Sequence, residues 1–119
     1  MRLNVAALAL LVAGAAAGAP PDERMEKLSL ESGCTLCHAT QSKASGMAVL
    51  PPAPAWNDIA LRYRDQPGAE DRLVAAVVQG SGPDHRHWQG KTRDVAMPAN
   101  AVEISQRDAR TLVHWILQQ

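Results

Sequence analysis

Aromatic residues are scarce in this sequence, whose 119 residues include three Trp, one Tyr and no Phe. Aromatic side chains normally supply much of the buried area of a small core, so a core built mainly from Leu, Val and Ala would be thin. A chain of this length can bury one core and has no room for a second catalytic lobe, which excludes two-domain enzymes. A large apolar prosthetic group would fit such a core.

The sequence also has no excess of charge of either sign, because twelve basic residues balance twelve acidic ones. These charges are scattered along the chain, whereas binding to a phosphate backbone requires a clustered basic face. Nucleic acid is therefore not expected as a partner. Any partner must be recognised through a local patch of the surface.

No long hydrophobic run follows the first 19 residues, of which fifteen are apolar. Arg2 is followed by a short apolar stretch over 5–12 and by Ala and Gly over 13–19, which is the pattern of a secretory signal peptide. We expect a cleaved signal peptide over residues 1–18, with the exact cleavage site open, and a single domain over residues 19–119. A retained membrane anchor is the alternative, but a membrane span needs about 20 apolar residues.

Strand-like alternation is absent too, and the hydrophobic periodicity predicts an all-α domain of four helices separated by long loops. The predicted helices run from Pro20–Pro21 to Gly33, from Ala55 to Arg64, from Ala69 to Gln79, and from a capping box of Ser105 and Asp108 onwards. Their predicted inward-facing residues are Met25 and Leu28, then Trp56, Ile59, Ala60 and Tyr63, then Leu73, Ala76 and Val77, and finally Ala109, Leu112, Val113 and Ile116.

The only two cysteines lie in Cys34-Thr35-Leu36-Cys37-His38, which has the C-x-x-C-H spacing of c-type haem attachment. Two thiols at this spacing can form thioether bonds to the two vinyl groups on one porphyrin edge, and the adjacent His can then bind the iron. A structural disulfide or a thioredoxin-like dithiol is an alternative, although the latter expects a βαβ context. A zinc site is a further alternative and would need two more ligands from distant His residues.

With this motif the sequence resembles the class I c-type cytochromes, and among them the short bacterial periplasmic subgroup with one haem. The similar segments are Ser32-Gly33-Cys34, Pro54-Ala55, Gly80-Ser81, Met97-Pro98-Ala99-Asn100 and Trp115-Ile116-Leu117. The resemblance implies a small cytochrome c fold of about four helices wrapped around one haem c, bound covalently through Cys34 and Cys37. It further implies that His38 and Met97 are the axial ligands of the iron. Met47 is the alternative sixth ligand.

The resemblance also implies roles for residues around the haem. A ligating His normally donates its second ring N–H to a carbonyl, and the implied acceptor is that of Pro54. Asn100 is implied to orient the loop of Met97, and the indole N–H of Trp88 to reach a haem propionate, with ordinary core packing as the alternative for Trp88. Where the family often has a basic partner for a propionate, this sequence has Ala76.

The loop over residues 84–93 departs from the family pattern by its length and by two histidines. His85 and His87 could bind a metal or act as a distal haem ligand, but we expect them to be solvated loop residues. Arg86, Lys91 or Arg93 could supply the basic partner that is missing from the preceding helix.

Two axial ligands from the protein leave no open position on the iron, so we expect one-electron transfer and no enzymatic activity. The expected function is that of a soluble, monomeric periplasmic electron carrier that meets redox protein partners at the haem edge, beside Ala39, Gly46 and Ala48. One alternative is the electron-accepting cytochrome subunit of a periplasmic dehydrogenase or of a sulfur-oxidising complex. Another is a five-coordinate haem sensor or peroxidase-like protein, which requires that Met97 not bind. A thiol-disulfide oxidoreductase, without haem, is a third.

Overall fold

Four α-helices form the regular structure of the protein in a computed structural model that describes residues 21–42, 49–82, 88–93 and 95–119. They are α1 (Pro21–Glu31), α2 (Trp56–Tyr63), α3 (Ala69–Gln79) and α4 (Gln106–Ile116), and a short 3-10 helix spans Cys34–Leu36. The described residues contain no strand, and the predicted all-α fold of four helices is confirmed. The predictions for residues 1–18, Gly46, Met47, Ala48, His85, Arg86 and His87 lie outside the described residues.

Helix α1 begins at Pro21 with two acidic residues in its first turn, where negative charge favours the helix dipole. Met25 is buried and Leu28 packs against the same core, as the sequence predicts. The helix ends before Gly33, whose φ of 74° lies in the left-handed region that glycine adopts without strain. This turn leads the chain directly into the 3-10 helix Cys34–Leu36.

The apolar residues of α3 divide between two faces of the helix. Val74 and Val77 are buried in the core, and α3 packs against α4. Leu73 and Ala76 instead line a cavity. The predicted inward face of Leu73, Ala76 and Val77 was therefore incomplete, because it omitted Val74. Helix α3 faces the core on one side and the cavity on another, and its apolar stripe is wide because it covers both.

Helix α4 has the cap that its sequence predicts. The hydroxyl of Ser105 accepts a hydrogen bond from the backbone N–H of Asp108 at 3.1 Å and donates one to the Asp108 carboxylate at 2.7 Å. Its buried residues include the predicted stripe of Ala109, Leu112, Val113 and Ile116, together with Trp115. A helix with this buried face can serve as the centre of the fold.

Helices α1, α2 and α3 all pack against α4. Trp56 of α2 and Trp115 of α4 meet edge to face, with their ring centroids 5.3 Å apart, a geometry that aromatic pairs prefer. On the outer surface, Arg110 forms ion pairs with Glu70 at 3.2 Å and Asp71 at 2.8 Å, which contribute little to stability because they are exposed to solvent. The core thus lies on one side of α2 and α3, and their other side faces the cavity.

Candidate haem site

A cavity of about 990 Å³ lies between the 3-10 helix, α2, α3 and the segment that precedes α4. This volume is at the upper end of the range of about 300–1,000 Å³ that is usual for cofactor and ligand pockets. Much of its wall is apolar, with contributions from Ile59, Leu73 and Val95. The seven residues to which the family resemblance gives a haem-binding role line this one cavity: Cys34, Cys37, His38, Pro54, Trp88, Met97 and Asn100.

Cys34 begins the 3-10 helix, and Cys37 directly follows it. Backbone hydrogen bonds from Cys37 and His38 both end on the carbonyl of Cys34, at 3.2 and 3.0 Å, and hold the motif in a tight turn. The two cysteines are not joined in a disulfide, and Cys34 is half-buried while Cys37 is exposed. Burial raises the pKa of the Cys34 thiol above its usual value, although its backbone hydrogen bond acts in the opposite direction. The motif therefore offers two separate thiols on one wall of the cavity.

The ring of His38 is held by the carbonyl of Pro54, with 2.8 Å between Nδ1 and the oxygen. A carbonyl can only accept, so Nδ1 carries the proton and Nε2 keeps its lone pair. Burial lowers the pKa of His38 below its usual value, and the hydrogen bond to Pro54 opposes part of that shift. A neutral imidazole with a free Nε2 is the form in which His binds a metal.

Met97 is half-buried and lies in a non-helical segment that is hydrogen-bonded to Ser81, just after the end of α3. Its backbone N–H donates to the hydroxyl of Ser81 at 2.8 Å, and its carbonyl accepts from the backbone N–H of Ser81 at 2.9 Å. Further along, the side chain of Asn100 donates to the carbonyl of Pro98 at 2.8 Å, and its backbone N–H donates to Val77 at 3.1 Å. In the sequence, Ser81 stands out only as part of the family-like segment Gly80-Ser81, and that resemblance implies no role for its hydroxyl.

Gly80 lets the Met97 segment approach the end of α3. A Cβ built on Gly80 would lie 2.9 Å from the carbonyl oxygen of Met97, 2.9 Å from the backbone N of Ala99, and 3.1 Å from the carbonyl carbon of Pro98. Its φ of 81° is also in the left-handed region. A side chain at this position would displace the segment that carries Met97.

Trp88 forms part of the cavity wall and is half-buried. Its ring meets Tyr63 edge to face, with 6.4 Å between the centroids, and the guanidinium of Arg62 lies 5.4 Å from the ring centroid. Ala76 faces the same cavity, whereas Lys91 lies beside a second, smaller cavity of about 380 Å³ that shares Trp88 as a wall. Trp88 therefore packs in the cavity wall against Tyr63 and Arg62.

The chemistry of the cavity fits one haem c. Two cysteine side chains, a neutral imidazole and the thioether of Met97 border a largely apolar space, which is the set of groups that attaches and ligates such a haem. Within the described part of the chain, no three His, Cys, Asp or Glu side chains are grouped so that they could hold a metal ion.

The Cytochrome c family model matches residues 23–119 of the chain. This chain belongs to the cytochrome c family. It is similar to cytochrome c-551 of Allochromatium vinosum, with 38% identity over 90 residues that cover 76% of this chain and 80% of that protein. It is also similar to cytochrome c-551 of Pseudomonas aeruginosa, with 36% identity over 97 residues that cover 82% and 78% of the two chains.

Among solved structures, the crystal structure of Nitrosomonas europaea cytochrome c552 is similar in fold. It has a TM-score of 0.56 and 32% identity, and the match covers 77% of this chain and 95% of that one. The expected membership of the class I c-type cytochromes, of the short bacterial kind with one haem, is thereby confirmed. This cytochrome c carries one haem c, bound covalently through its two cysteines.

Proposed function

We propose that this cytochrome c carries single electrons between redox proteins of the bacterial periplasm, with His38 and Met97 as the axial ligands of its haem iron. The observation that carries this proposal is that both side chains line the cavity that Cys34 and Cys37 border. Its similarity to cytochromes c-551 and c552 supports the electron-carrier function.

The haem, when bound, supplies a centre that gains and loses one electron. The residues of the chain determine what else can happen at that centre. His38, oriented by Pro54, offers a more basic imidazole than an unbonded ring would. Met97 would occupy the remaining axial position, and a substrate would then have no place to bind. Because thioether sulfur favours Fe(II), the reduction potential should be high for a haem.

Other residues of the cavity have proposed roles in holding this arrangement. Asn100 supports the loop of Met97 through its hydrogen bond to Pro98. The carbonyl of Pro54 fixes the rotation of the His38 ring. Trp88 is proposed to direct its indole N–H to a haem propionate while its ring packs on Tyr63.

None of the relatives reported above is named as an enzyme, an enzyme subunit or a sensor, and the alternative functions gain no support from them. We propose no enzymatic activity, because Met97 would occupy the position on the iron that a substrate would need. A five-coordinate haem protein is the alternative that is easiest to distinguish from this electron carrier, because the two differ only in whether Met97 binds the iron.

The proposed periplasmic location rests on the N-terminal sequence and on the haem attachment motif. Residues 1–18 have the pattern of a secretory signal, and haem attachment of this kind takes place outside the cytoplasm. None of the helices in the described segments is long and apolar enough to cross a bilayer. Cell fractionation of a bacterium that expresses the full chain should recover the red protein in the periplasmic fraction.

The proposed docking surface surrounds the cysteines. Leu36, between them, is 84% exposed, and Ala39 directly after the motif is also exposed. Small and apolar side chains at this place let a partner approach the haem edge closely. Such redox encounters are small and transient, which suits a monomeric carrier.

A visible spectrum combined with a redox titration tests the proposed function. The oxidised protein should show a Met-to-iron charge-transfer band near the red edge of the visible spectrum, and a single one-electron transition at high potential. A high-spin spectrum without that band would identify a five-coordinate protein and overturn the proposal. A protein without pigment would favour a thiol-disulfide oxidoreductase.

A further inference from the structure

Ser81 forms hydrogen bonds to both polar backbone groups of Met97. We propose that Ser81 is a positioning residue for the sixth iron ligand, because its hydroxyl and its backbone N–H together fix the direction in which the Met97 side chain leaves the backbone. This inference rests on the proposed function, in which the sulfur of Met97 binds the iron.

The two hydrogen bonds act on both sides of the Met97 Cα. The N–H of Met97, bonded to the Ser81 hydroxyl at 2.8 Å, fixes the peptide plane before Met97. The carbonyl of Met97, bonded to the Ser81 N–H at 2.9 Å, fixes the plane after it. Pro98 adds a further restriction, because a residue before proline is confined to extended conformations. With both planes fixed, the direction of the Met97 Cα–Cβ bond is fixed as well.

This control of the backbone matters because the side chain itself is flexible. Methionine has three rotatable bonds and no branch, so it does not hold its sulfur in one place without support. A thioether is also a neutral ligand that an external base can replace. The share of molecules with sulfur on the iron therefore depends on how well Met97 is positioned, and Ser81 bonds directly to the backbone of Met97.

Removal of the Ser81 hydroxyl should affect Met97 without releasing the whole segment. The hydrogen bond from the Asn100 N–H to the carbonyl of Val77 does not involve Ser81, and it keeps the segment attached to α3. The Ser81 N–H is retained in any variant other than proline. Ser81→Ala thus removes the acceptor for a single backbone N–H beside the ligand.

The test is an imidazole titration of the oxidised holoprotein, in which the loss of the Met-to-iron band measures binding. Ser81→Ala should bind imidazole about 3- to 10-fold more tightly than the wild type, which corresponds to the loss of one ordinary hydrogen bond. Its midpoint potential should fall, because a weaker sulfur contact favours Fe(II) less. Ser81→Thr keeps the hydroxyl and should restore both the potential and an affinity within about twofold of the wild type.

Ser105→Ala is the matched control. It also removes a hydroxyl that accepts one backbone N–H, that of Asp108 at 3.1 Å, but it does so at the cap of α4. This variant should lower the denaturation midpoint while the imidazole affinity stays at the wild-type value. If Ser81→Ala behaves like Ser105→Ala, or if Ser81→Thr behaves like Ser81→Ala, the hydroxyl does not position the ligand and the inference is overturned.

Met97→Ala separates the failure of this inference from that of the proposed function. If Met97→Ala leaves the charge-transfer band in place, Met97 is not the ligand, and both the proposed ligation and the inference fall. If Met97→Ala abolishes the band and Ser81→Ala changes neither imidazole affinity nor potential, only the inference about Ser81 falls.

Discussion

The carboxylate of Asp22 accepts a hydrogen bond of 2.6 Å from the indole N–H of Trp115 and so joins the first turn of α1 to the last turn of α4. Trp115 is only 7% exposed, and its ring meets Trp56 edge to face. An indole N–H that is removed from water requires an acceptor, and Asp22 provides it from the surface. This polar contact thus adds a hydrogen bond between two helices that pack against each other.

Asp22→Ala should therefore destabilise the holoprotein by about 1–3 kcal/mol, because it leaves the Trp115 N–H without its acceptor. Asp22→Asn keeps an acceptor oxygen and should lose less. Chemical denaturation followed by Trp fluorescence measures both. Glu23→Ala is the control, since it removes an acid from the same helical turn and leaves the bond to Trp115 intact. Equal losses for Asp22→Ala and Glu23→Ala would attribute the effect to the helix dipole.

Replacement of Cys34 and Cys37 together by Ala should abolish covalent haem and leave an unfolded or degraded apoprotein. The cavity of about 990 Å³ lies between helices whose apolar residues would then face water on one side. Absorbance after haem extraction and circular dichroism with a thermal melt measure these effects. Recovery of a compact domain that melts cooperatively without haem would show that the helices fold without this group.

Met97→Ala should leave the haem attached but open the sixth position, lower the potential, and allow carbon monoxide or azide to bind. Met47→Ala is the comparison, because Met47 is the alternative ligand in the sequence. Absorbance spectra recorded during a titration with carbon monoxide, together with a redox titration, distinguish the two variants. His85 and His87 are best removed in the same background, so that neither can occupy the position. The assignment is wrong if Met47→Ala opens the iron and Met97→Ala does not.

Gly80→Ala should weaken the Met-to-iron band as well as the stability. A methyl group there would lie 2.9 Å from the Met97 carbonyl oxygen, and the positive φ adds a strain of about 1 kcal/mol. Gly90→Ala is a matched control, because Gly90 has a φ of 75° but open space around it. It should lose stability with an unchanged band. A band that is equally intact in both variants would mean that the Met97 segment adapts freely.

Ala39→Arg should slow electron transfer to a partner while it leaves the spectrum and potential nearly unchanged. Ala39 is exposed beside the haem motif. Its carbonyl accepts a hydrogen bond from the Trp56 N–H at 2.9 Å, and the substitution leaves this backbone group in place. Since the balanced charges steer weakly and are screened beyond about 8 Å, the rate should fall only mildly between low and moderate salt. Stopped-flow rates at several salt concentrations measure this.

A steep salt dependence together with an unaffected Ala39→Arg variant would place the interface elsewhere, on a local charged patch. Lys91 and Arg93, with Arg86, are then the first residues to replace.

The local features of the chain are readable from the sequence because each depends on near neighbours. The bounds of α3, the Ser105 cap and the buried stripe of α4 follow from periodicity and capping rules that act within a few residues. The haem attachment motif is local as well, since the spacing of Cys34, Cys37 and His38 contains its chemistry. The family resemblance implied that the carbonyl of Pro54 accepts a hydrogen bond from His38, and the structure contains that bond.

Only the tertiary structure decided which distant residues meet. Ser81 and Met97 are sixteen positions apart, and Asp22 and Trp115 ninety-three, so no local period relates them. The division of α3 between core and cavity likewise depends on α4, which packs against one side of it, and on the haem cavity on the other side. Such contacts form only when separate segments pack against each other. A polar group that this packing removes from water needs a hydrogen-bond partner, and the fold determines which distant residue supplies it.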